Sequence, residues 1–299
     1  NEVDVKATPL KSFEPGEQVI VKDHTGREMG VAFMSPSSLI CGRLISRDPK
    51  QKMDQPLLVH RLKIALSLRE LAFDSPHYRL VFGDSDALPG LVVDRFGDVL
   101  VVQISSVGME TLKDELLVAL EKVCKPKTIL FKNNGKMRAP EELESYVKVG
   151  FGEEIEDAPL EENGVKFLAP VVTGQKTGWF YDHRMNRARL KDYVKGKKVL
   201  DLYSYVGGWG IQAAAFGAES VTCVDSSSLA LSYVAKNAVL NNVEDKVNSI
   251  EGDVIEVCRQ LIEEGEKFDV VIVDPPAFIP RRKDQKVGER AYQKLNQLA

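Results

Sequence analysis

The sequence contains no long hydrophobic run. No stretch of about 18 consecutive apolar residues occurs, and the N-terminal residues lack the apolar segment of a signal peptide. These absences predict that no segment crosses a membrane, and they favour the cytoplasm or an organelle matrix over secretion. The net charge of −4 also excludes binding to nucleic acid through overall charge. Any binding to RNA must come from local basic surface and from shape.

Cysteine is scarce, and no two cysteines are close in sequence. The four are Cys41, Cys124, Cys223 and Cys258, and none forms the Cys-x-x-Cys spacing of zinc or redox sites. We therefore predict no structural metal and no disulfide framework. Cys223 falls inside a predicted strand and Cys258 inside a predicted helix, which favours core positions for both.

The length of 299 residues is sufficient for two or three domains. Three strands with Gly and Pro between them predict a small β-barrel over residues 1–50; the strands are expected at 18–23, 29–33 and 39–45. Residues 51–160 predict an α+β domain; its elements are a helix at 57–73, a hairpin of 91–94 and 99–104, a helix at 109–123 and a strand at 128–131. An acidic linker, 153–162, precedes a third domain, 161–299.

The third domain opens with the pattern of strand, glycine turn and helix. An apolar run ends at Asp201, the turn spans 204–208, and a helical segment covers 211–216. A second strand, 220–224, ends on Asp225, where a carboxylate can accept hydrogen bonds from two ribose hydroxyls. The pattern predicts a Rossmann-like α/β fold with an adenosine-containing ligand at the carboxyl ends of parallel strands. Tight αβ packing without a ligand is the alternative.

Two more acidic residues stand at predicted strand ends. Asp253 follows a third strand, and a fourth, 268–273, ends in the Asp-Pro-Pro-Ala-Phe phrase that begins at Asp274. Four strand-end acids at these spacings resemble a class I S-adenosylmethionine (SAM) methyltransferase. An NAD-binding unit shares the first two acids but gives no reason for Asp-Pro-Pro.

Three phrases together carry a closer resemblance. They are Gly-Gln-Lys-Thr-Gly-Trp-Phe-Tyr-Asp-His-Arg at 174–184, Asp-Leu-Tyr-Ser-Tyr-Val-Gly-Gly at 201–208 and Asp-Pro-Pro-Ala-Phe at 274–278. They resemble the bacterial 23S rRNA 5-methylcytosine methyltransferases of the PUA-containing large-subunit family, over nearly the whole chain. Phrases near Pro15, Asp23 and Ser35 resemble part of a PUA domain, an RNA-binding barrel; a structural β-cap is the alternative reading.

The resemblance implies SAM as the cofactor and a set of residues that bind it. They are Lys176, Phe180, Asp182, Arg184, Asp201, Tyr203, Ser204, Tyr205, Gly207, Gly208, Asp225, Ser226, Asp253, Val254 and Asp274. Phe180 or Tyr181 can form a wall for adenine, and Asp182 with Arg184 can pair with the methionine ammonium and carboxylate. A helix-capping salt bridge is the alternative for that charged pair. His183 is assigned no proton-transfer role.

Six basic residues follow this segment and are interpreted mostly as a solvated helix face, although they could also contact phosphates: Arg187, Arg189, Lys191, Lys195, Lys197 and Lys198.

The implied chemistry needs a nucleophile that the sequence does not supply. In this family a cysteine thiolate adds to C6 of cytosine so that C5 attacks the SAM methyl group. Asp274 would bind the base edge, and Pro276 and Phe278 would hold a flipped base flat. The nucleophilic cysteine is expected beyond Ala299, and position 277 is alanine. We therefore expect the chain to be incomplete at its C-terminus, without the last strands of the sheet.

Three functions remain open at this level. The first is methylation of cytosine C5 in 23S rRNA, the second is methylation of an exocyclic base amine such as guanine N2, and the third is a non-catalytic module that binds SAM and RNA. Ribosomal RNA is the expected partner, and a homodimer is left open.

Overall fold

A computed structural model describes residues 3–299, and the chain divides into two compact units. One unit runs up to Ala158 and includes Pro170–Trp179; the other comprises Pro159–Ala169 and Phe180–Ala299. The division into domains 1–50, 51–160 and 161–299 stays a prediction. The Gln-Lys-Thr-Gly phrase, 175–178, belongs to the first unit.

The first unit begins with a three-stranded antiparallel sheet. Its strands are β1 (Gln18–Lys22), β2 (Glu28–Met34) and β3 (Gly42–Ser46). The third strand starts three residues later than predicted, because Leu39 and Ile40 are exposed and leave no apolar face to bury.

A five-stranded sheet with three helices forms the rest of this unit. The helices are α1 (Gln55–Ala72), α2 (Val107–Glu110) and α3 (Lys113–Cys124), and the strands, in sheet order, are β4 (His77–Phe82), β5 (Leu91–Phe96), β6 (Val99–Ile104), β7 (Thr128–Asn133) and β8 (Tyr146–Gly152). The helix predicted at 109–123 is therefore two helices. The Thr111 hydroxyl donates a hydrogen bond to the Gly108 carbonyl, and such a side-chain bond competes with the backbone hydrogen bonds that would continue the helix. Phe33, Leu58 and Leu80 share one core, which joins the two sheets.

The second unit opens with a hairpin of β9 (Ala158–Glu162) and β10 (Val165–Ala169). The prediction of an acidic linker over 153–162 is therefore wrong in its second half. Burial alternates along β9, so that Ala158, Leu160 and Glu162 point inward. Glu162 is tolerated there because Arg187 forms a two-pronged salt bridge with it, with Nε–Oε1 and Nη2–Oε2 distances of 2.6 and 3.1 Å. Arg187 is 3% exposed, so its assignment to a solvated helix face is also wrong.

A four-stranded parallel sheet forms the centre of the second unit. Its strands are β11 (Lys198–Leu202), β12 (Ser220–Asp225), β13 (Val247–Glu251) and β14 (Val270–Val273), in the order β13-β12-β11-β14. The helices are α4 (Arg184–Ala188), α5 (Gly210–Ala215), α6 (Ser228–Leu240), α7 (Val254–Glu263) and α8 (Gln285–Leu298). This arrangement confirms the Rossmann-like fold, and it brings the ends of all four strands to one edge.

The core of the second unit fixes α7 and α8 against the sheet. Leu200 and Val224 from the strands pack with Leu261 and Leu295 from the helices. Within residues 3–299, no helix combines the length and the apolar character that a membrane span requires.

Candidate functional site

The turn between β11 and α5 is conformationally strained. Tyr203 and Tyr205 have φ values of 62° and 50°, a region that side chains other than glycine rarely adopt. Such backbone conformations cluster at ligand sites, because the surrounding structure must hold them in place. Gly210 begins α5 directly against the sheet, since a Cβ there would lie 2.5 Å from Cys223 Sγ and 3.0 Å from Asp201 Oδ2.

Asp201 supports this turn from inside the sheet. It is fully buried, and its Oδ2 accepts a hydrogen bond from Gly210 N at 2.8 Å. The pKa of Asp201 is raised to about 8, chiefly by burial and also by the charges of Asp274 and Asp225, although the hydrogen bond from Gly210 N lowers it. Asp201 lies near the end of β11, as expected, but its side chain is closed off from solvent and holds the turn; its contact with a ligand stays a prediction.

Asp225 joins the turn to the start of α6. Its Oδ2 accepts from Tyr205 N at 2.8 Å and its Oδ1 from Ser227 N at 3.0 Å. The residue is half-buried, and Ser226 beside it is exposed. Each carboxylate oxygen can accept a second hydrogen bond, so ribose hydroxyls can bind here without displacing the backbone.

Asp253 is the N-cap of α7. Its Oδ1 accepts from Ile255 N and Glu256 N at 2.9 and 3.2 Å, and its side chain is exposed. Val254 buries its side chain in the core, so only its backbone N–H, one of the unsatisfied donors at a helix start, can face a ligand.

Aromatic and charged residues of the Phe180–Arg184 segment flank the turn. The rings of Phe180 and Tyr205 meet edge to face with centroids 5.6 Å apart. Arg187 donates a hydrogen bond to the Phe180 carbonyl at 2.6 Å, which fixes the backbone at Phe180. Asp182 has a side chain 66% exposed, and Arg184 is half-buried at the start of α4.

Asp274 lies just after β14 and is held by two side chains. Trp209 Nε1 donates to its Oδ2 at 3.1 Å, and His183 Nε2 lies 3.5 Å from the same oxygen. The Asp274 side chain is 37% exposed, so part of the carboxylate is open to a ligand. Sequence reasoning assigned no role to Trp209 and no proton-transfer role to His183; the position of Trp209 between Gly208 and Gly210 was the available signal.

The loop after Asp274 packs on α8. The Phe278 ring lies 4.7 Å from that of Tyr292, and Phe278 N donates to the Tyr292 hydroxyl at 3.2 Å. Pro276 is exposed and Phe278 is half-buried. Their role in holding a flipped base stays a prediction, and Tyr292 is a positioning residue that sequence reasoning missed.

Two buried residues of the first unit anchor the Gln-Lys-Thr-Gly phrase. Thr177 Oγ1 donates to Asp94 Oδ2 at 2.6 Å, and Lys132 Nζ donates to the Gly174 carbonyl at 2.6 Å. Burial lowers the pKa of Lys132 to about 8. These contacts hold Lys176 in a left-handed conformation, with φ 48°. Because Lys176 lies in the first unit and the other candidate residues lie in the second, its contact with a cofactor stays a prediction.

The charge of the turn region fits SAM. Burial is the main cause of the raised pKa of Asp201, and the negative charges of Asp274 and Asp225 raise it as well. A ligand that carries a sulfonium and an ammonium group would relieve this repulsion, which a neutral or anionic ligand would not.

The two cysteines of the second unit are core residues, as predicted. Cys223 and Cys258 are 0% and 2% exposed, and burial raises the pKa of both thiols.

Comparison with known proteins gives the family. Residues 135–296 match the family described as S-adenosylmethionine-dependent methyltransferase, and residues 1–47 match a PUA-like domain. The protein named "Ribosomal RNA large subunit methyltransferase I" is 36% identical in Erwinia tasmaniensis over 96% of this chain and 74% of that protein. The protein of the same name in Aliivibrio fischeri shows the same identity and coverage.

A solved structure from Streptococcus mutans, provisionally named as a SAM-dependent methyltransferase, shares the fold. It has a TM-score of 0.81 at 22% identity, over 95% of this chain and 75% of that one. A provisionally named methyltransferase solved in complex with SAH has the same TM-score, identity and coverage. The chain is a SAM-dependent enzyme, and it belongs to the family of the ribosomal RNA large subunit methyltransferase I proteins.

Proposed function

We propose that this enzyme methylates C5 of a cytosine in 23S rRNA. The observation that carries the proposal is the partly exposed Asp274 carboxylate, which a hydrogen bond from Trp209 holds, with His183 beside it, one strand away from the glycine turn. The names of the relatives support the large-subunit RNA as substrate. The cytosine and its C5 atom rest on the resemblance of the three sequence phrases.

The residues of the second unit divide the work of binding. Asp225 would accept hydrogen bonds from the ribose, Asp253 from the adenine amine, and the Phe180–Tyr205 pair would cover the adenine face. Asp182 and Arg184 would pair with the two charged groups of the methionine moiety. When bound, SAM supplies an electrophilic methyl group on a sulfonium.

Asp274 would bind the target base. Its carboxylate accepts a hydrogen bond from the N4 amine of cytosine, and from N3–H when N3 becomes protonated during nucleophilic addition to the ring. Pro276 and the exposed edge of Phe278 would hold the flipped base flat.

The C5 route needs a thiolate. The thiolate adds to C6, C5 then takes the methyl group as its bond to the sulfonium sulfur breaks and leaves a neutral thioether, a base removes the C5 proton, and elimination releases the thiolate. Cys223 and Cys258 are buried, and position 277 is alanine. The proposal therefore takes its nucleophile from a cysteine other than these two.

Methylation of an exocyclic amine, such as guanine N2, is the second candidate. It is favoured by the burial of both thiols in the second unit, because an amine needs an acceptor such as Asp274 but no cysteine adduct. A non-catalytic module, the third hypothesis, does not agree with membership of an enzyme family.

The test is methyl transfer by the full-length protein to protein-free 23S rRNA that lacks the modification. Transfer of a tritiated methyl group, followed by mass spectrometry of the nucleosides, should give 5-methylcytidine; N2-methylguanosine would establish the second candidate. The Asp274→Ala variant should lose transfer and keep its calorimetric SAM affinity. Asp245→Ala, an exposed residue outside the turn, serves as the matched control.

Two related predictions stay with this proposal. A ribosomal substrate implies the cytoplasm as the compartment, which fractionation would check. A homodimer, left open by the sequence, would be checked by light scattering.

A further inference from the structure

Helix α8 packs directly against the loop that carries Asp274. A Cβ on Gly288 would lie 2.3 Å from Ile279 Cγ1 and 2.6 Å from the Phe278 carbonyl oxygen, so only glycine allows this approach. Tyr292 and Leu295 lie on the same face of the helix, where Tyr292 bonds Phe278 N and Leu295 enters the core. The position of α8 is therefore fixed relative to the proposed base site.

The opposite face of α8 is positively charged. Lys286, Arg290 and Lys294 recur every four residues, which places them on one side of the helix, and all three are exposed. At a rise of about 1.5 Å per residue, neighbouring charges are about 6 Å apart along the axis. We call Lys286, Arg290 and Lys294 the basic face.

The segment that includes the basic face carries an excess of positive charge. Residues 281–294 contain six Lys and Arg and two Asp and Glu, in a chain whose net charge is −4. Both acids are already engaged, Asp284 with Arg281 and Glu289 with Gln285. Within the described part of the chain, the three side chains of the basic face form no salt bridge. A surface with one sign of charge and no internal partners suits an anionic polymer.

We propose that the basic face binds the phosphate backbone of the RNA strand that carries the target base. This proposal rests on the proposed function, because the base bound at Asp274 fixes where its strand must leave the site. The inner face of α8 positions the loop, and the outer face holds the strand on the same rigid helix. Such contacts fix the register of the RNA and carry no sequence preference.

The test compares two triple variants of the full-length protein. Lys286→Gln, Arg290→Gln and Lys294→Gln together remove the basic face, while glutamine keeps the helix propensity. The control, Lys246→Gln, Arg259→Gln and Lys267→Gln, also removes two Lys charges and one Arg charge at exposed positions; Lys246 and Lys267 precede β13 and β14, at the edge of the sheet away from Asp274, and Arg259 lies on α7. Both variants have the same net charge. Thermal unfolding should show that both are folded.

Affinity for protein-free 23S rRNA is measured by filter binding over a range of salt concentrations. We expect the basic-face variant to bind about tenfold more weakly, and its plot of log K against log salt to be shallower by about 2, at roughly 0.7 per lost phosphate contact. The control should stay within about twofold of wild type with the same slope. Calorimetric SAM affinity should be unchanged in both. Arg290→Lys, which keeps the charge, should keep the wild-type slope.

The outcomes separate this proposal from the proposed function. An unchanged salt slope in the basic-face variant, or an equal loss in the control, overturns the basic face as an RNA contact even if wild type methylates rRNA. If the plot of log K against log salt becomes shallower only in the basic-face variant, and wild type transfers no methyl group, the basic face is upheld and the proposed function is rejected.

Discussion

The indole of Trp209 donates a hydrogen bond to Asp274, with 3.1 Å between Nε1 and Oδ2. This bond connects the glycine turn of the proposed SAM site to the proposed base-binding carboxylate. The Arg187 guanidinium carbon lies 5.8 Å from the centre of the Trp209 ring, and Arg187 is itself fixed by Glu162. A continuous set of contacts therefore holds the Asp274 carboxylate in one orientation.

Replacing Trp209 with phenylalanine keeps an aromatic ring and removes the N–H donor. A hydrogen bond to a charged group contributes about 1.5–3 kcal/mol, so we expect kcat to fall by roughly one to two orders of magnitude. SAM affinity, measured by calorimetry, should change little, because in the proposed function Asp274 binds the target base while Asp225 and Asp253 bind the adenosine of SAM. Unchanged kcat would show that Asp274 does not need this orientation. Combined with Asp274→Ala, which removes the acceptor, Trp209→Phe should cause no further loss of methyl transfer.

Replacing Asp225 with alanine should weaken SAM binding by about tenfold or more, because a charge-assisted acceptor of the ribose hydroxyls is lost. Calorimetric titration measures this directly. Since Asp225 also accepts from Tyr205 N and Ser227 N, Asp225→Asn, which keeps one acceptor oxygen, should retain part of the affinity. Equal affinity of wild type and the alanine variant would count against the ribose assignment.

Replacing Asp201 with asparagine should change how stability depends on pH. The folded chain holds the Asp201 proton up to a pKa of about 8, while the unfolded chain releases it near the ordinary pKa of an aspartate, 3.8. The wild-type free energy of unfolding therefore falls, through this residue, as pH rises across that window. Asparagine does not ionise, so the variant does not lose stability in this way. The free energy of unfolding of the variant minus that of wild type, measured in urea, should therefore increase from pH 5 to pH 8.

The matched control for this titration is Asp269→Asn. Asp269 is exposed, and the hydrogen bond from Lys198 N, with the nearby lysines, lowers its pKa below 3.8. The stability that the ionised Asp269 contributes to the folded state is lost only as pH falls below about 4. The difference between this variant and wild type should thus be flat from pH 5 to 8. A flat profile for Asp201→Asn as well would mean that Asp201 is ionised in the folded protein.

Replacing Gly288 with alanine should separate helix propensity from packing. Alanine favours a helix by about 1 kcal/mol over glycine, but its Cβ would collide with the Phe278 carbonyl. We expect lower stability in urea unfolding and reduced methyl transfer with SAM affinity retained. Gln293→Ala, at an exposed position of the same helix, should be neutral or stabilising. Full activity of the Gly288 variant would show that α8 does not position the loop.

Part of the site could be predicted because it depends on local sequence. Apolar runs predict the strands of the second unit, and the glycines at 207, 208 and 210 predict the turn, since backbone conformation there depends on the absence of a side chain. Asp225 and Asp274 were placed correctly at strand ends by the same reasoning. Parallel strands then place these ends at one edge in any βαβ fold.

Other features depend on residues far apart in the chain. Glu162 and Arg187 are ordinary surface residues by composition, and only their pairing across 25 residues explains why both are buried. The bond from Trp209 to Asp274 spans 65 residues. Asp201 has the same residue type and strand context as Asp225, yet it is sealed inside the sheet.

The sequence by itself determined the Rossmann-like sheet, the glycine turn and the kind of ligand, because strand periodicity and glycine turns are encoded over a few neighbouring residues. Only the tertiary structure decided which carboxylates face solvent, that the Arg187 guanidinium is buried, and which face of α8 is exposed. Burial and hydrogen bonding depend on what packs against a residue, and that partner is supplied by distant parts of the chain.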